Sequence, residues 1–228
     1  FNLDGKVVGI NSQIYSRSGG SIGLSFSIPT SVALGVVEQL KENGRVQRGW
    51  LGVVIQDVDR ALAESLELGN PQGALINAVE EDGPADKGGI LPGDVIVRFD
   101  GEPIVDSGDL PHVVGMMAPG EKARVEVYRE GKRKILNVTV AALDKDADDR
   151  QAESMRLRGG VVVAEVSANS AAAKAGIRKG DIIVQLGYSR IDDIDEYSQV
   201  IAELPENTPI AIRFYRQGRA IFRTFVID

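Results

Sequence analysis

Hydrophobic positions along this chain fall into short runs that return at a fixed distance. Residues 74–79 (Ala-Leu-Ile-Asn-Ala-Val) and 161–166 (Val-Val-Val-Ala-Glu-Val) are apolar and rich in β-branched side chains, the pattern of buried strands. Each run is headed by a glycine, Gly73 and Gly160, which lie 87 positions apart. On the same offset, Gly83-Pro84-Ala85-Asp86-Lys87-Gly88-Gly89-Ile90-Leu91-Pro92-Gly93-Asp94-Val95-Ile96-Val97 aligns without a gap to Ser170-Ala171-Ala172-Ala173-Lys174-Ala175-Gly176-Ile177-Arg178-Lys179-Gly180-Asp181-Ile182-Ile183-Val184, with eight of fifteen positions identical. Tyr128-Arg129-Glu130-Gly131 and Tyr215-Arg216-Gln217-Gly218 keep the offset too. Three landmarks on one spacing predict two copies of a small domain.

Each copy has a readable plan. A short helix of small residues is expected at 85–88 and 171–175. The Gly-Asp pair then turns the chain into a strand, Val95–Phe99 or Ile182–Leu186, with the aspartate bonding nearby backbone amides. Asp94 and Asp181 hold equivalent positions in separate copies, so they read as turn residues rather than a catalytic pair. A helix follows at 107–117 and 194–204. A hairpin turning at Glu130-Gly131 or Gln217-Gly218 closes each copy, and Arg129 and Arg216 beside these turns are expected in solvent.

Ahead of the first copy, residues 30–43 predict a helix capped by Thr30 and stopped at Gly44, with Val32, Ala33, Val36, Val37 and Leu40 as its apolar stripe. Residues 1–28 read as three strands around a Gly/Ser-rich loop at 16–20, too few to bury a core alone. That loop lacks the lysine and following helix of a phosphate loop. The segment 144–150, with four aspartates, reads as a solvated linker. The first ten residues start without Met on a hairpin already under way, so the sequence is expected to begin inside a larger domain, which makes a missing signal peptide uninformative.

Composition narrows the function. Aromatic residues are only 5% of the chain, so aliphatic side chains must fill the cores. A net charge of −7 speaks against a nucleic-acid backbone as partner. With no cysteine and one histidine, no metal site or other cofactor is expected. No apolar run approaches the roughly 18 residues of a membrane span.

The head of the first copy, Arg48-Gly49-Trp50-Leu51-Gly52-Val53, carries candidate binding chemistry. Consecutive N–H groups in a glycine-containing turn can grip a C-terminal carboxylate, and a strand at 53–58 would leave an edge for an added peptide strand. Trp50, Leu51, Gly52, Val53 and Ile55 are therefore candidate peptide-binding residues. Leu110, Val114 and Met117, at i, i+4 and i+7 on the next helix, are candidates for the pocket wall. His112 lies one residue off that stripe and is expected on the surface or at the rim.

These features together resemble bacterial PDZ domains. Val8-Gly9-Ile10-Asn11-Ser12 and Ser21-Ile22-Gly23-Leu24-Ser25-Phe26-Ser27-Ile28-Pro29 resemble the end of the trypsin-like barrel of HtrA/Deg proteases, and the whole chain is similar to the two-PDZ, MucD-like branch of that family. The resemblance implies a mainly β fold with short helices (α+β). Its parts would be the last strands and helix of a protease domain (1–46), a first PDZ domain (47–143), an acidic linker (144–158) and a second PDZ domain (159–228).

The resemblance also implies that Gln13 and Ile14 line the protease specificity pocket, and that residues 15–23 form a loop ordered on activation. It implies a periplasmic serine endopeptidase that recruits C-terminal peptides of misfolded envelope or outer-membrane proteins, assembled as a trimer-based homo-oligomer. Two departures stand out. The only histidine is His112 and no serine sits in the family's nucleophile motif, so the residues given should be inactive alone. In the second copy, position 139 stands where Gly52 would recur, so its groove strand is either lost or left out between Leu143 and Gly159. Other classes remain: a tandem PDZ adaptor, or a chaperone or oligomerisation scaffold without protease activity.

Overall fold

The computed structural model describes residues 1–16, 20, 22–143 and 159–227. Most of the Gly/Ser-rich loop and the whole segment 144–158, with the acidic linker and the expected gap, lie outside these. The described chain forms two compact units, Phe1–Arg48 and Gly49–Asp228.

In the first unit, β1 (Gly9–Ile14) pairs antiparallel with β2 (Ser25–Pro29), and α1 (Thr30–Asn43) follows directly. Among the described residues two strands form here rather than the expected three: Asn2 closes residues 2–6 into a turn, accepting from the Asp4 and Lys6 amides. Pro29, with ψ 145°, takes the N-cap position expected for Thr30. The Thr30 hydroxyl instead donates to the Val7 carbonyl at 2.9 Å, tying the helix start to the hairpin. Gly44 ends the helix at φ +69° with its N–H on the Leu40 carbonyl, a conformation glycine adopts at low cost. Ile10, Ile14, Phe26 and Leu34 are each more than half exposed.

The second unit holds both repeats. The first sheet runs β4 (Val53–Asp57), β5 (Ala74–Val79), β6 (Val95–Phe99), β8 (Lys122–Arg129), β9 (Lys132–Thr139), all antiparallel, with the short β7 (Glu102–Pro103) on β6. Helices α2 (Arg60–Ser65), α3 (Pro84–Lys87) and α4 (Asp109–Met116) lie between these strands in sequence. A bridge of β3 (Gly49–Trp50) to β10 (Ala141–Ala142) joins the ends of the copy. The second sheet runs β11 (Val161–Val162), β12 (Ile182–Leu186), β14 (Ile210–Arg216), β15 (Arg219–Phe225), with β13 (Ser189–Arg190) on β12 and helices α5 (Ala171–Lys174) and α6 (Ile194–Glu203).

The repeat holds down to single bonds. Asp94 accepts from the Leu91 amide and Asp181 from the Arg178 amide. Arg129 and Arg216 were expected in solvent but are engaged instead: each clamps its aspartate through Nε and Nη2 at 2.6–2.7 Å and donates to the carbonyl of Gly89 or Gly176. Glycine is needed at the head of each apolar run for contact as well as conformation. Gly73 and Gly160 have φ of +103° and +120°, and a Cβ would lie 2.6 Å from the Ile96 carbonyl oxygen or 2.8 Å from that of Ile183.

Each copy has its own core: Ile76, Ile96, Phe99 and Val125 in the first, Ile183, Leu186, Ile212 and Phe214 in the second. Burying each such side chain stabilises the fold by about 1.5–3 kcal/mol. A further cluster joins them. Alternation along β14 and β15 sends Ile210, Ile212, Ile221 and Phe225 into the second core, and Ala211 and Phe222 the other way. There they meet Leu75, Val95 and the α2 residues Leu62 and Ala63. Polar groups close the seam: the Gln56 side chain accepts from the Phe222 amide (3.1 Å) and donates to its carbonyl (3.4 Å), and Asn77 donates to Ala220 (3.3 Å).

Candidate peptide-binding site

The chain enters β4 through a turn whose atoms are tightly placed. A Cβ on Gly49 would collide with the Val114 carbonyl and come within 2.6 Å of Val140 Cγ1. Gly52 has φ +74°, and a Cβ there would sit 2.9 Å from Cη2 of the Trp50 ring, which lies across the turn. Leu51 is buried and its carbonyl accepts from Ala85 (3.0 Å), while the Gly52 carbonyl accepts from Glu80 (2.8 Å). Both carbonyls are thus committed to the domain. Among the described residues, the N–H groups of Leu51 and Gly52 donate to nothing. Adjacent unengaged amides in a turn with a positive-φ glycine can form a concave anion receptor.

Below the turn, β4 is the end strand of its sheet and pairs only with β5 among the described residues. Val53 and Ile55 are partly buried and rest on the first core. Helix α4 supplies the facing wall. Asp109 starts it, its carboxylate accepting from the Val105 and Asp106 amides, which hold its pKa below the ordinary carboxylate value. At the far end of β4, the Asp57 carboxylate accepts from the Ser107 amide (2.9 Å), and the Ser107 hydrogen bonds lower its pKa. This bond fixes the spacing of strand and helix there.

Sequence reasoning placed the helix correctly and its faces less so. Leu110 and Val114, candidates for the pocket wall, are 1% and 4% exposed and pack in the first core. Val113 and Met117, four residues apart, are partly buried and pack against the same core, which leaves part of each side chain accessible. Val113 was missed because Leu110 and Val114 already filled a 3.6-residue stripe; its i+4 relation to Met117 was the available signal. His112 is exposed. Gln13 and Ile14 are exposed on β1, opposite Phe26 and Ser25. The second repeat differs: β11 is its end strand among the described residues.

A strand edge beside a helix, headed by a turn with free amides, has the geometry to receive an extended peptide. Sequence comparison agrees. Models of the PDZ domain match residues 20–140 and 162–216. The chain belongs to the PDZ-domain family. It is 49% identical to a probable periplasmic serine endoprotease DegP-like of Ectopseudomonas mendocina (strain ymp), over 99% of this chain and 53% of the relative. It is 48% identical to the protein of that name in Pseudomonas fulva (strain 12-X), over 99% and 52%.

The chain thus spans about half the length of the curated relatives it matches. The first alignment runs over 251 positions against 228 residues here, so at least 23 positions of the relative have no counterpart. Among solved structures, the HtrA-type protease AlgW with a tripeptide superposes with TM-score 0.53 at 42% identity, covering 61% of this chain and 46% of that one. The same protease with a decapeptide gives 0.51 at the same identity, covering 61% of this chain and 43% of that one.

Proposed function

We propose that the first repeat captures C-terminal peptides, the terminal carboxylate on the Leu51 and Gly52 amides and the peptide backbone along β4. The last side chain would rest among Val53, Ile55, Val113 and Met117. The observation that carries this reading is the pair of amides left without acceptors at the head of a free strand edge. The experiment is a titration of the ¹⁵N-labelled chain with an apolar C-terminal peptide. Saturable shifts are expected at Leu51, Gly52 and β4; shifts confined to the second repeat would reject the assignment.

The similarity to DegP-like and HtrA-type proteins supports a wider reading. The groove serves a periplasmic serine endopeptidase, delivering misfolded envelope proteins to a catalytic domain to which residues 1–46 contribute, with Gln13 and Ile14 at its specificity pocket. Trimer-based assembly through that domain belongs to the same reading. A Ser-His-Asp mechanism needs a histidine beside the serine, and the one histidine, His112, sits on the groove helix. The 228 residues alone are therefore expected to leave casein intact; serine-inhibitor-sensitive turnover by the purified chain would refute this part.

A further inference from the structure

The junction of the two repeats holds a half-open cavity of about 460 Å³, within the range of small-ligand sites. Leu91, Pro92 and Arg129 line it from the first repeat, and Tyr188, Arg190 and Arg213 from the second. Two of the three guanidinium groups are matched: Arg129 by Asp94, and Arg190 by Asp192 at 2.7 Å. Glu130, also on the wall, adds to the field at Arg129.

Arg213 is different. Its Nη2 donates to the Tyr215 hydroxyl at 3.1 Å, and its Cζ lies 5.5 Å from the Tyr215 ring centroid. No carboxylate among the described residues pairs with it, and its Nε is sealed from solvent without a hydrogen-bond partner. Burial, reinforced by the Arg190 cation, pulls its pKa below the ordinary guanidinium value, against a smaller opposing effect of Tyr215. Arginine does not shed its proton in the physiological range, so a partly buried guanidinium with no carboxylate partner among the described residues calls for an anion.

We propose that this cavity is a second binding site, separate from the strand edge of the first repeat, for a carboxylate attached to an apolar body. The carboxylate would meet Arg213, whose planar fork suits that group. The apolar body would lie against Leu91, Pro92 and the Tyr188 ring. One unmatched cation fits a monoanion better than a phosphate dianion.

The test uses benzoate as probe and benzamide as its neutral control, read by ¹⁵N NMR of the Arg213 side chain in the full chain. Benzoate is expected to shift the Arg213 Nε–H and the Tyr188 ring saturably while the Leu51 and Gly52 amides stay in place. Benzamide should not bind, and Arg213→Gln should weaken benzoate by about tenfold or more. A free tripeptide acid that displaces benzoate identifies a polypeptide C-terminus as the natural source of the carboxylate; benzoate binding without such displacement identifies small organic acids. No Arg213 shift at any benzoate concentration, equal affinity for benzamide, or undiminished binding to Arg213→Gln would overturn the proposal. Should that variant unfold, the titration of the unaltered chain with the two probes decides alone.

Discussion

The two repeats are built to one plan, yet only the first presents a groove among the described residues. They share the Gly-Asp turn, the arginine clamp and the glycine at the head of the first internal strand. They differ at the sheet edge. In the first, β4 holds five residues of β5 in register, and β5 is six residues long. In the second, β11 pairs with β12 at Val161 and Val162 only. The lesson is that core and strand edge are separable: the turn, clamp and hairpin make the domain, and one added strand with its amide turn makes the proposed binding site. What the second repeat does instead is dock, placing Ala211 and Phe222 on the back of the first.

The comparison can be broken at several points. The largest effect is expected from Arg129→Met and Arg216→Met. Each leaves a buried aspartate without its partner and should cost about 3–5 kcal/mol in urea unfolding. Similar losses would confirm equivalent clamps; a loss in one repeat alone would show that the shared geometry is not shared energetics. The pH dependence has a definite sign. The folded pKa of Asp181 is lowered, because its hydrogen bonds to Arg216 and Arg178 and their charges outweigh the opposing effect of burial. Its contribution is therefore complete above the unfolded carboxylate value of about 3.9 and is lost as pH falls through the lower folded value. Arg216→Met should remove this part of the acid transition.

Phe222→Ala tests the docking. It should cost about 3–4 kcal/mol and separate one unfolding transition into two. A single unchanged transition would mean that the repeats are stabilised independently of the seam. Gln56→Ala removes both bonds to the Phe222 backbone and should cost about 1–2 kcal/mol. It sits on the groove strand, so peptide affinity measured on the same variant shows whether docking and binding communicate.

Much of the fold was legible because it rests on local chemistry. Repeated apolar runs, Gly-Asp turns and hairpin glycines each leave a mark within a few residues. What escaped were features made by distant partners. The clamp joins residues 35 positions apart, so Arg129 and Arg216 look like ordinary hairpin-end cations. Helix α2 has no stripe that means anything until Phe222 and Ala211 cover it. The expected strand at 161–166 stops after Val162, since a strand is only as long as its ladder. At the site, the amide turn was readable from Trp50-Leu51-Gly52-Val53. The difference between the buried Leu110 and Val114 and the partly buried Val113 and Met117 depends on how α4 is rotated against the sheet. Met117→Ala should accordingly weaken an apolar peptide by about five- to tenfold with little loss of stability, the smallest of these effects.

Trp50 is the only tryptophan and lies on the amide turn, so its fluorescence reports the site directly. The decisive measurement is a titration of this signal with one apolar decapeptide, once as the free acid and once as the C-terminal amide. Capture of the carboxylate by the Leu51 and Gly52 amides predicts that the amide form binds weaker by about tenfold or more. Equal affinities would contradict the assignment of this turn as a carboxylate receptor.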